Sequence, residues 1–511
     1  MTLESLAPAL LIGAIIVLIA VVGVRIAGRL RVPGLLLFLL IGLAAGAVAP
    51  GLRLADAELG VVLGYAALVL ILAQGGLTTR MSDLRPVMWP AIALASIGVI
   101  ASIAVVAFPL IAFLDVDPRV AILFGAVLAA TDAAAVFSVM RRTRVATRIR
   151  TLLEAEAGFN DAPVVVIVVV LATTTLGADP WWWIVLQIAF ELVAGAGLGI
   201  AIGYAGRWLL ARLALPAVGL YPIAAFAILV AAYGLADLAH ASGFLAVYVA
   251  AVLIGSASRL PHRRSILGFA DGLARIAEIG LFVMLGLLAD VTRLDDAWVL
   301  ALAGGALLVL AARPIASIVS LLPFRMPWRV IAFTSVAGLR GAVPIVFAAI
   351  PLGLAVPGAT LLFDATMLVV LALLVLQAPL LPRVARSMGL SLPEEAIELE
   401  VESAPLDGIN AVVLGIDIPD HSGLVGTYVS ELGLPHGAVV SLIVRGSAVL
   451  AIDEHARIRR GDRLVLVATV EARAGAEERL RAVARGGRLA TWLRPDIGRS
   501  EIGRSEINPG R

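Results

Sequence analysis

The sequence predicts an α-helical, polytopic membrane protein that carries a small α+β domain at its C-terminal end. Of the 511 residues, 61% are hydrophobic and 15% are charged, whereas a soluble domain is about 45–50% apolar and about 25% charged. Apolar segments long enough to cross a bilayer recur as far as Leu392. Beyond that residue the apolar excess ends and the hydrophobic period changes, which indicates a separate polar domain.

Thirteen apolar segments are candidate transmembrane spans, because about 17–25 apolar residues suffice to cross the hydrocarbon layer. They cover approximately 6–23, 33–49, 59–78, 87–113, 119–140, 152–176, 181–206, 220–239, 241–257, 266–289, 297–320, 329–350 and 361–382. The chain has no lysine; nineteen arginines follow odd-numbered spans, and three lie in the other loops. Arginine-rich loops are typically cytoplasmic. The N-terminus is therefore predicted outside and the C-terminal domain in the cytoplasm.

Three spans carry polar or helix-breaking residues in their middle. Span five contains Ala130-Thr131-Asp132-Ala133, span six contains Asn160-Asp161 with Pro163, and span twelve contains residues 338–344, which read GLRGAVP. Interrupted helices at corresponding positions of two halves are typical of inverted-repeat transporters with a midplane site. Spans five and twelve correspond if spans 1–6 and 8–13 form two repeats and span seven links them.

The beginning of span six holds three carboxylates and an asparagine, from Leu153 to Pro163. An ionisable group inside the membrane costs about 3 kcal/mol or more, so by default it marks a transport or proton pathway. Glu156 and Asp161 are five residues apart and therefore project to different sides of one helix. We expect Glu156 to pair with a neighbouring helix and Asp161 to face a cavity.

The domain boundaries follow the changes in composition. A transmembrane domain is predicted over 1–392, an acidic linker over 393–405, a cytoplasmic α+β domain over 406–487 and a disordered tail over 488–511. In the α+β domain, strands are expected over 409–418, 438–444, 448–452 and 463–469, and helices over 422–432 and 472–485. The chain has no cysteine, which excludes disulfides and thiolate metal sites.

Four motifs, at 131–137, 156–161, 242–250 and 338–344, resemble the cation:proton antiporter-1 family, in particular its bacterial NhaP type. The resemblance covers residues 1–390. It implies the NhaA-like fold with broken crossing helices, a homodimer in the bacterial inner membrane, and exchange of K⁺ or Na⁺ for H⁺ by alternating access. The tail resembles the C-terminal lobe of RCK domains, also called TrkA-C. That likeness implies a regulatory domain that binds a nucleotide or another small ligand.

The resemblance also implies roles for single residues. Asp161 matches the ion- and proton-binding carboxylate, Asn160 matches the asparagine before it, and Asp132 and Thr131 match the unwound crossing. A monovalent cation is thus expected at Asp161, Asp132 and Thr131, where carboxylate, hydroxyl and carbonyl oxygens suit a hard cation.

Further positions bear on the surroundings of this site. Glu156 matches a glutamate that pairs with an arginine, for which Arg313 is the first choice and Arg340 the second. Two positions depart from the family pattern: Ala157 stands where serine is usual, and Gln74 where an acidic residue often stands. Both bear on cation preference, and the choice among K⁺, Na⁺ and Li⁺ stays open.

The expected chemistry is competition for one carboxylate. Desolvation favours its neutral form and a bound cation favours its charged form, so proton and cation exclude each other. With Asn160 in place of a second acid, one titrating site predicts electroneutral exchange of one proton per cation. No enzyme activity, resident cofactor or nucleic-acid partner is expected.

Two other functional classes, a channel and a hydrolase, are alternatives to antiport. The RCK-like tail suggests a ligand-gated cation channel, but a Thr-Val-Gly-Tyr-Gly filter is missing from the sequence. An intramembrane aspartyl hydrolase needs a Gly-x-Gly-Asp signature, which the spans lack.

Overall fold

The computed structural model divides the protein into two compact units, Met1–Ser391 and Leu392–Arg511. It describes residues 34–48, 56–132, 135–136, 145–173, 180–257, 260–390, 401–405, 411–419, 422–446, 448–451, 456–469 and 471–492, with most of 11–25. The boundary between the units lies beside the predicted end of the transmembrane domain at residue 392.

The first unit is built from helices. An apolar helix, Gly13–Gly23, comes first, and a single helical turn, Met81–Leu84, precedes the third of the helices numbered here. The numbered helices are α1 Gly34–Val48, α2 Ala57–Thr78, α3 Met88–Leu114, α4 Pro118–Ala129, α5 Thr147–Thr173, α6 Trp181–Arg212, α7 Leu220–Leu238, α8 Gly243–Gly255, α9 Arg263–Leu288, α10 Leu294–Phe324, α11 Trp328–Ala337, α12 Ala342–Gly353 and α13 Ala359–Ser387. Each of the thirteen predicted spans overlaps one of these helices or the pair α11–α12, and α4 accounts for the first half of span five only.

Seven helices in the described residues are long and apolar enough to cross a bilayer, and the pair α11–α12, bent by 52°, makes an eighth. Gly13–Gly23, α1, α4 and α8 are shorter apolar helices. A helix satisfies its own backbone N–H and C=O groups, so it is the form that a single apolar segment takes in lipid.

Two of the three predicted breaks are present. Helix α4 ends at Ala129 and is followed by extended backbone at Ala130, and the chain leaves the helical conformation between α11 and α12. The prediction of a break in span six is wrong, because α5 continues through Asn160, Asp161 and Pro163 to Thr173. An internal proline removes one backbone hydrogen bond, and close packing of neighbouring helices allows a membrane helix to continue past it.

Helices α3 and α10 each contain one π-helical stretch, Leu94–Gly98 and Leu308–Ala312. These helices correspond to spans four and eleven, the fourth span of each predicted repeat. Such stretches frequently occur at functional sites, and Arg313 directly follows the second one. The matched positions agree with the predicted inverted repeat.

The second unit contains a five-stranded antiparallel sheet with strand order β1-β2-β5-β3-β4. Its strands are β1 Val401–Pro405, β2 Ala411–Asp417, β3 Ala438–Arg445, β4 Ala448–Ala451 and β5 Asp462–Thr469, and helix α14 spans Arg473–Trp492. Alternate residues of β5, such as Leu464, Leu466 and Ala468, enter a hydrophobic core of its own with Leu480 and Val483 of α14.

Three predictions for this unit need correction. Residues 401–405 of the predicted linker form β1, while 393–400 lie outside the described residues. The helix expected over 422–432 is a series of turns that ends in a short 3₁₀ helix, Val429–Leu432. In this segment a side chain bonds to the backbone in place of a helical carbonyl, since Tyr428 N–H donates to the Glu431 carboxylate. Residues 488–492, which were expected to be disordered, are helical and follow a kink at Gly487 within α14, and 493–511 lie outside the described part.

Candidate functional site

The interrupted segments of spans five and twelve contact each other. The backbone N–H of Asp132 donates to the carbonyl of Leu339 at 3.1 Å, so part of the exposed backbone in one break is satisfied by the other. This agrees with the rule that irregular backbone at membrane depth is tolerated where it is buried in protein.

The carboxylate of Asp132 holds this crossing together. Oδ2 accepts from the backbone N–H of Ala342, the first residue of α12, at 2.6 Å, and Oδ1 accepts from that of Ala135 at 3.2 Å. The first amides of a helix lack intrahelical partners and carry the positive end of its dipole, so a carboxylate stabilises them. A Cβ at Gly341 would collide with Oδ2 of Asp132, and glycine is therefore required there for the close approach.

Glu156 is bonded to Arg313, the partner named first from the sequence. Nη1 of Arg313 lies 2.6 Å from Oε1 of Glu156, and both side chains are buried. Nη2 of the same arginine donates to the carbonyl of Thr334 at 2.9 Å. Thr334 is in the last turn of α11, where carbonyls lack helical partners and the dipole is negative. A positive group therefore caps α11 and a negative group, Asp132, caps α12.

Arg340 lies in the break itself and is fully buried. None of its three guanidinium nitrogens has a hydrogen-bond partner among the residues that the structure describes. The charges of Arg313 and Glu156 act on it. Glu156 thus lies near two guanidinium groups and is hydrogen-bonded to that of Arg313.

Asp161 differs from these paired groups. Its side chain is buried, and in the described part of the chain neither carboxylate oxygen accepts a hydrogen bond. The neighbouring Asn160 donates through Nδ2 to Oγ1 of Thr131 at 2.5 Å, which ties α5 to the break in span five. Oδ1 of Asn160 has no partner among the described residues either. Three buried acceptor oxygens therefore come from two consecutive residues.

Such a group of oxygens suits a proton or a small hard cation. Burial in a low-dielectric interior makes an unpaired carboxylate costly, and the nearby charge of Asp132 adds repulsion. Either a proton or a cation relieves both effects. No cluster of three or more His, Cys, Asp and Glu side chains occurs in the described ranges, so those residues do not form a polydentate centre of the kind that divalent metals prefer.

Three further residues of the first unit are buried. Ala157 is buried beside Glu156 and contributes no hydroxyl, and Gln74 is buried in α2. The sequence assigned no role to Tyr248, whose ring occupies the space where a Cβ of Gly158 would lie and packs edge-to-face on Phe159. In the sequence, the place of Tyr248 within the 242–250 motif was the feature that could have indicated its role. Glycine at 158 permits this contact between α8 and the helix that carries Asp161.

Comparisons with known proteins address both units. Residues 14–386 match the family described as sodium/hydrogen exchanger, transmembrane, and residues 413–481 match the TrkA-C domain. The chain is 32% identical over 484 residues to a K(+)/H(+) antiporter NhaP2 of Shewanella sp. (strain ANA-3), covering 91% of this chain and 82% of the relative. It is 33% identical to the K(+)/H(+) antiporter NhaP of Alkalimonas amylolytica, covering 88% and 79%.

A more distant relative carries a different cation in its name. The Na(+)/H(+) antiporter NhaP of Pseudomonas aeruginosa is 29% identical, covering 64% of this chain and 82% of the relative. Among solved structures, the sodium proton antiporter MjNhaP1 of Methanocaldococcus jannaschii matches with a TM-score of 0.64 at 21% identity. The match covers 75% of this chain and 99% of that one, and it establishes the fold of the first unit.

Proposed function

The chain belongs to the sodium/hydrogen exchanger family, and from that premise we propose that it exchanges a monovalent cation, K⁺ or Na⁺, for H⁺ across a membrane. The observation that carries the proposal is Asp161, a buried carboxylate whose oxygens accept no hydrogen bond from the described residues. Relatives named as K(+)/H(+) antiporters along most of the chain support this reading.

Coupling follows from competition at Asp161. A bound cation stabilises the charged carboxylate and a proton neutralises it, so one ligand leaves when the other binds. The empty, charged carboxylate is the form that crosses a low-dielectric barrier least easily, because burying an unpaired charge is costly. The carrier therefore changes its access with either a cation or a proton bound, which prevents a leak of one ion alone.

The neighbouring residues have different tasks in this proposal. Asn160 and Thr131 supply oxygens and fix α5 against the crossing through their hydrogen bond. Asp132 binds the amide of Ala342 and adds negative charge that attracts the cation. Asn160 does not titrate, and the carboxylate of Asp132 is held by two backbone amides. Asp161 is therefore the group that exchanges its proton for the cation, and exchange is electroneutral, with one proton per cation.

Several finer features belong to the same proposal. The arginine-rich loops and the second unit face the cytoplasm, the protein is a homodimer in the bacterial inner membrane, and the TrkA-C domain binds a nucleotide or another small ligand that adjusts transport. Truncation at Pro393 tests the last point, and unchanged transport kinetics would contradict it.

The decisive experiment is proton flux in proteoliposomes challenged with Na⁺, K⁺ and Li⁺ across pH, with and without a membrane potential. We expect saturable, cation-dependent proton movement that is insensitive to voltage and is lost in Asp161→Asn. Asp364→Asn is the matched control, because Asp364 is equally buried but lies 3.5 Å from Arg293. Coupled exchange that survives in Asp161→Asn, or cation flux without proton movement, would refute antiport at this site.

A further inference from the structure

A groove with a volume of about 550 Å³ opens between the helix that carries Asp161 and helices α6 and α8. Its walls come from α3 on one side and α6 on the other, and its floor comes from α5 and α8. Cavities of about 300–1,000 Å³ typically bind small organic ligands. The groove is thus large enough for a ligand of that size.

The lining is apolar and partly open to the outside of the helix assembly. Ile92 of α3 and Val193 and Ile200 of α6 line it, and their exposed fractions are 37%, 73% and 47%. Helix α6 is mostly exposed along its apolar length, as expected of a helix that faces lipid tails. On the floor, α5 presents Phe159 and Pro163 instead of its carboxylates, so the groove does not offer the oxygens that an ion pathway needs.

At one end of the groove, arginines are close neighbours in sequence of the lining residues. Met81 and Tyr204 line this end; Arg80 precedes Met81, and Arg207 follows Tyr204 by about one turn of α6. Both arginines are exposed. The only carboxylate within the turn Met81–Leu84 is that of Asp83, which accepts from Ser82.

A third arginine is held at the same end. The backbone N–H of Met81 donates to Ser256 Oγ at 2.8 Å, just after α8, and Arg263 Nη2 donates to the carbonyl of Gly255 at 3.2 Å. The charges of Arg80 and Arg263 act on each other. Two like charges that repel each other favour an anion between or beside them.

We propose that this groove binds one anionic phospholipid, with an acyl chain along the apolar walls and the phosphate at Arg80, Arg207 and Arg263. Charge complementarity selects this occupant, because basic pockets between transmembrane helices bind anionic head groups while the apolar walls exclude a soluble anion. The arginines lie on the side predicted to be cytoplasmic, so the lipid comes from that leaflet. A lipid seated here touches both α5 and the pair α6 and α8, and its binding does not depend on the proposed transport.

The test is photolabelling of the full-length protein in phosphatidylcholine vesicles that contain phosphatidylglycerol with a diazirine on its acyl chain. Labelled peptides are mapped by mass spectrometry. The groove is blocked by Ala196→Trp, since Ala196 lines it on α6. Ala189→Trp is the matched control, because Ala189 is exposed on the same helix outside the groove. The charge is removed by Arg80→Gln with Arg207→Gln, and exposed Arg329→Gln is its control.

We expect peptides around Ile92 and Val193 to be labelled several-fold more than other lipid-facing helices in the wild type. Ala196→Trp should lower that labelling several-fold and Ala189→Trp should not. Unlabelled phosphatidylglycerol should compete better than phosphatidylcholine, and the double arginine variant should lose this preference. Uniform labelling of all exposed helices, labelling without headgroup preference, or protection of the groove by a second copy of the chain would each overturn the proposal. If Ala196→Trp fails to fold, the arginine variants decide the outcome by the headgroup preference alone.

Discussion

Two buried aspartates, one in each unit, occupy opposite kinds of environment. Asp462 of β5 is fully buried, and its carboxylate accepts from Nε and Nη2 of Arg445 at 2.8 and 2.9 Å and from the backbone N–H of Arg459 at 2.7 Å. Asp161 of α5 is likewise almost inaccessible to solvent, yet neither oxygen accepts a hydrogen bond in the described ranges. The two carboxylates have nearly the same exposed fraction and differ in the number of their hydrogen-bond partners.

The difference separates a buried carboxylate with a structural role from one that the proposed exchange can use. A buried charge whose hydrogen bonds are all made stabilises one conformation and has little to gain from a ligand. A buried carboxylate without partners is costly until it takes up a positive ion. Glu156 provides a third case on the same helix as Asp161, because Arg313 binds it at 2.6 Å.

The largest loss of stability is expected at Glu156, which, like Asp462, is a buried carboxylate bonded to an arginine. Glu156→Gln leaves the buried charge of Arg313 unpaired, and breaking a buried ion pair costs roughly 3–5 kcal/mol. Thermal unfolding of the purified protein in detergent measures this as a lowered Tm. The double variant Glu156→Leu with Arg313→Met should recover part of the loss, since it removes both charges of the pair while the buried charge of Arg340 remains. An unchanged Tm in Glu156→Gln would show that the pair is not structural.

A smaller loss is expected in the second unit. Asp462→Asn replaces charge-assisted bonds from Arg445 and Arg459 with weaker ones, and we expect a loss of about 1–3 kcal/mol. Hydrogen exchange of peptides from β3 and β5 in the full-length protein measures it. Asp417→Asn is the control, because Asp417 is exposed and lies 3.8 Å from a half-exposed Arg463, a pair worth about 0–1 kcal/mol. Equal losses of exchange protection in Asp462→Asn and Asp417→Asn would show that the hydrogen bonds of Asp462 stabilise the unit no more than an exposed ion pair does.

The stability of the second unit should depend on pH, because the ionised carboxylate of Asp462 is the form that its hydrogen bonds stabilise. Burial works to raise the pKa of Asp462, but the hydrogen bonds and charges of Arg445 and Arg459 outweigh it and hold that pKa below its ordinary value. Because the folded-state pKa is the lower one, this stabilisation is complete above the unfolded-state pKa of about 3.9 and disappears as pH falls through the folded-state value. Exchange protection of β5 should therefore persist down to about pH 4 and decrease below it. In Asp462→Asn the decrease in exchange protection below about pH 4 should be absent. The same dependence of protection on pH in both proteins would show that Asp462 does not cause it.

The smallest expected change in stability is at Asp161. Asp161→Asn removes a buried carboxylate that has no hydrogen-bonding partner in the described structure, so the free energy of unfolding should stay within about 1 kcal/mol of the wild-type value or rise, and the Tm should not fall appreciably. The same variant should lose coupled exchange. A Tm lowered as far as in Glu156→Gln would mean that Asp161 has a structural partner and would remove the contrast between the two aspartates.

The sequence predicted much of the fold because the length of an apolar helix is a local signal, whereas the orientation in the membrane that the arginine placement indicates stays a prediction. The breaks at Asp132 and at Gly338–Gly341 were visible as polar and glycine residues within apolar runs. The break expected at Pro163 was not found, since a proline reveals the lost hydrogen bond but not the packing that keeps α5 continuous. Strand β1 and the turns before Val429 depend on contacts between distant residues, which a local pattern does not contain.

The site shows the same limit. Resemblance to a family suggested Asp132 as a cation ligand, while the structure adds that its oxygens bind the amides of Ala342 and Ala135. Which arginine pairs with Glu156 depends on how α10 packs on α5. The sequence does not contain that packing and therefore leaves Arg313 and Arg340 as alternatives. The role of Tyr248 depends on a single glycine, Gly158, that gives its ring room.

The π-helical stretch Leu308–Ala312 bears on where the gene can lose a codon. It lies immediately before Arg313, and its i→i+5 hydrogen bonds give a turn with about one residue more than an α-helical turn has. Deleting one codon within it would therefore leave an ordinary α-helix with the guanidinium still directed at Glu156. A one-codon deletion in the α-helical part Leu294–Leu307 would instead rotate Arg313 by about 100° relative to the start of the helix, so length changes should be purged from that part of the gene.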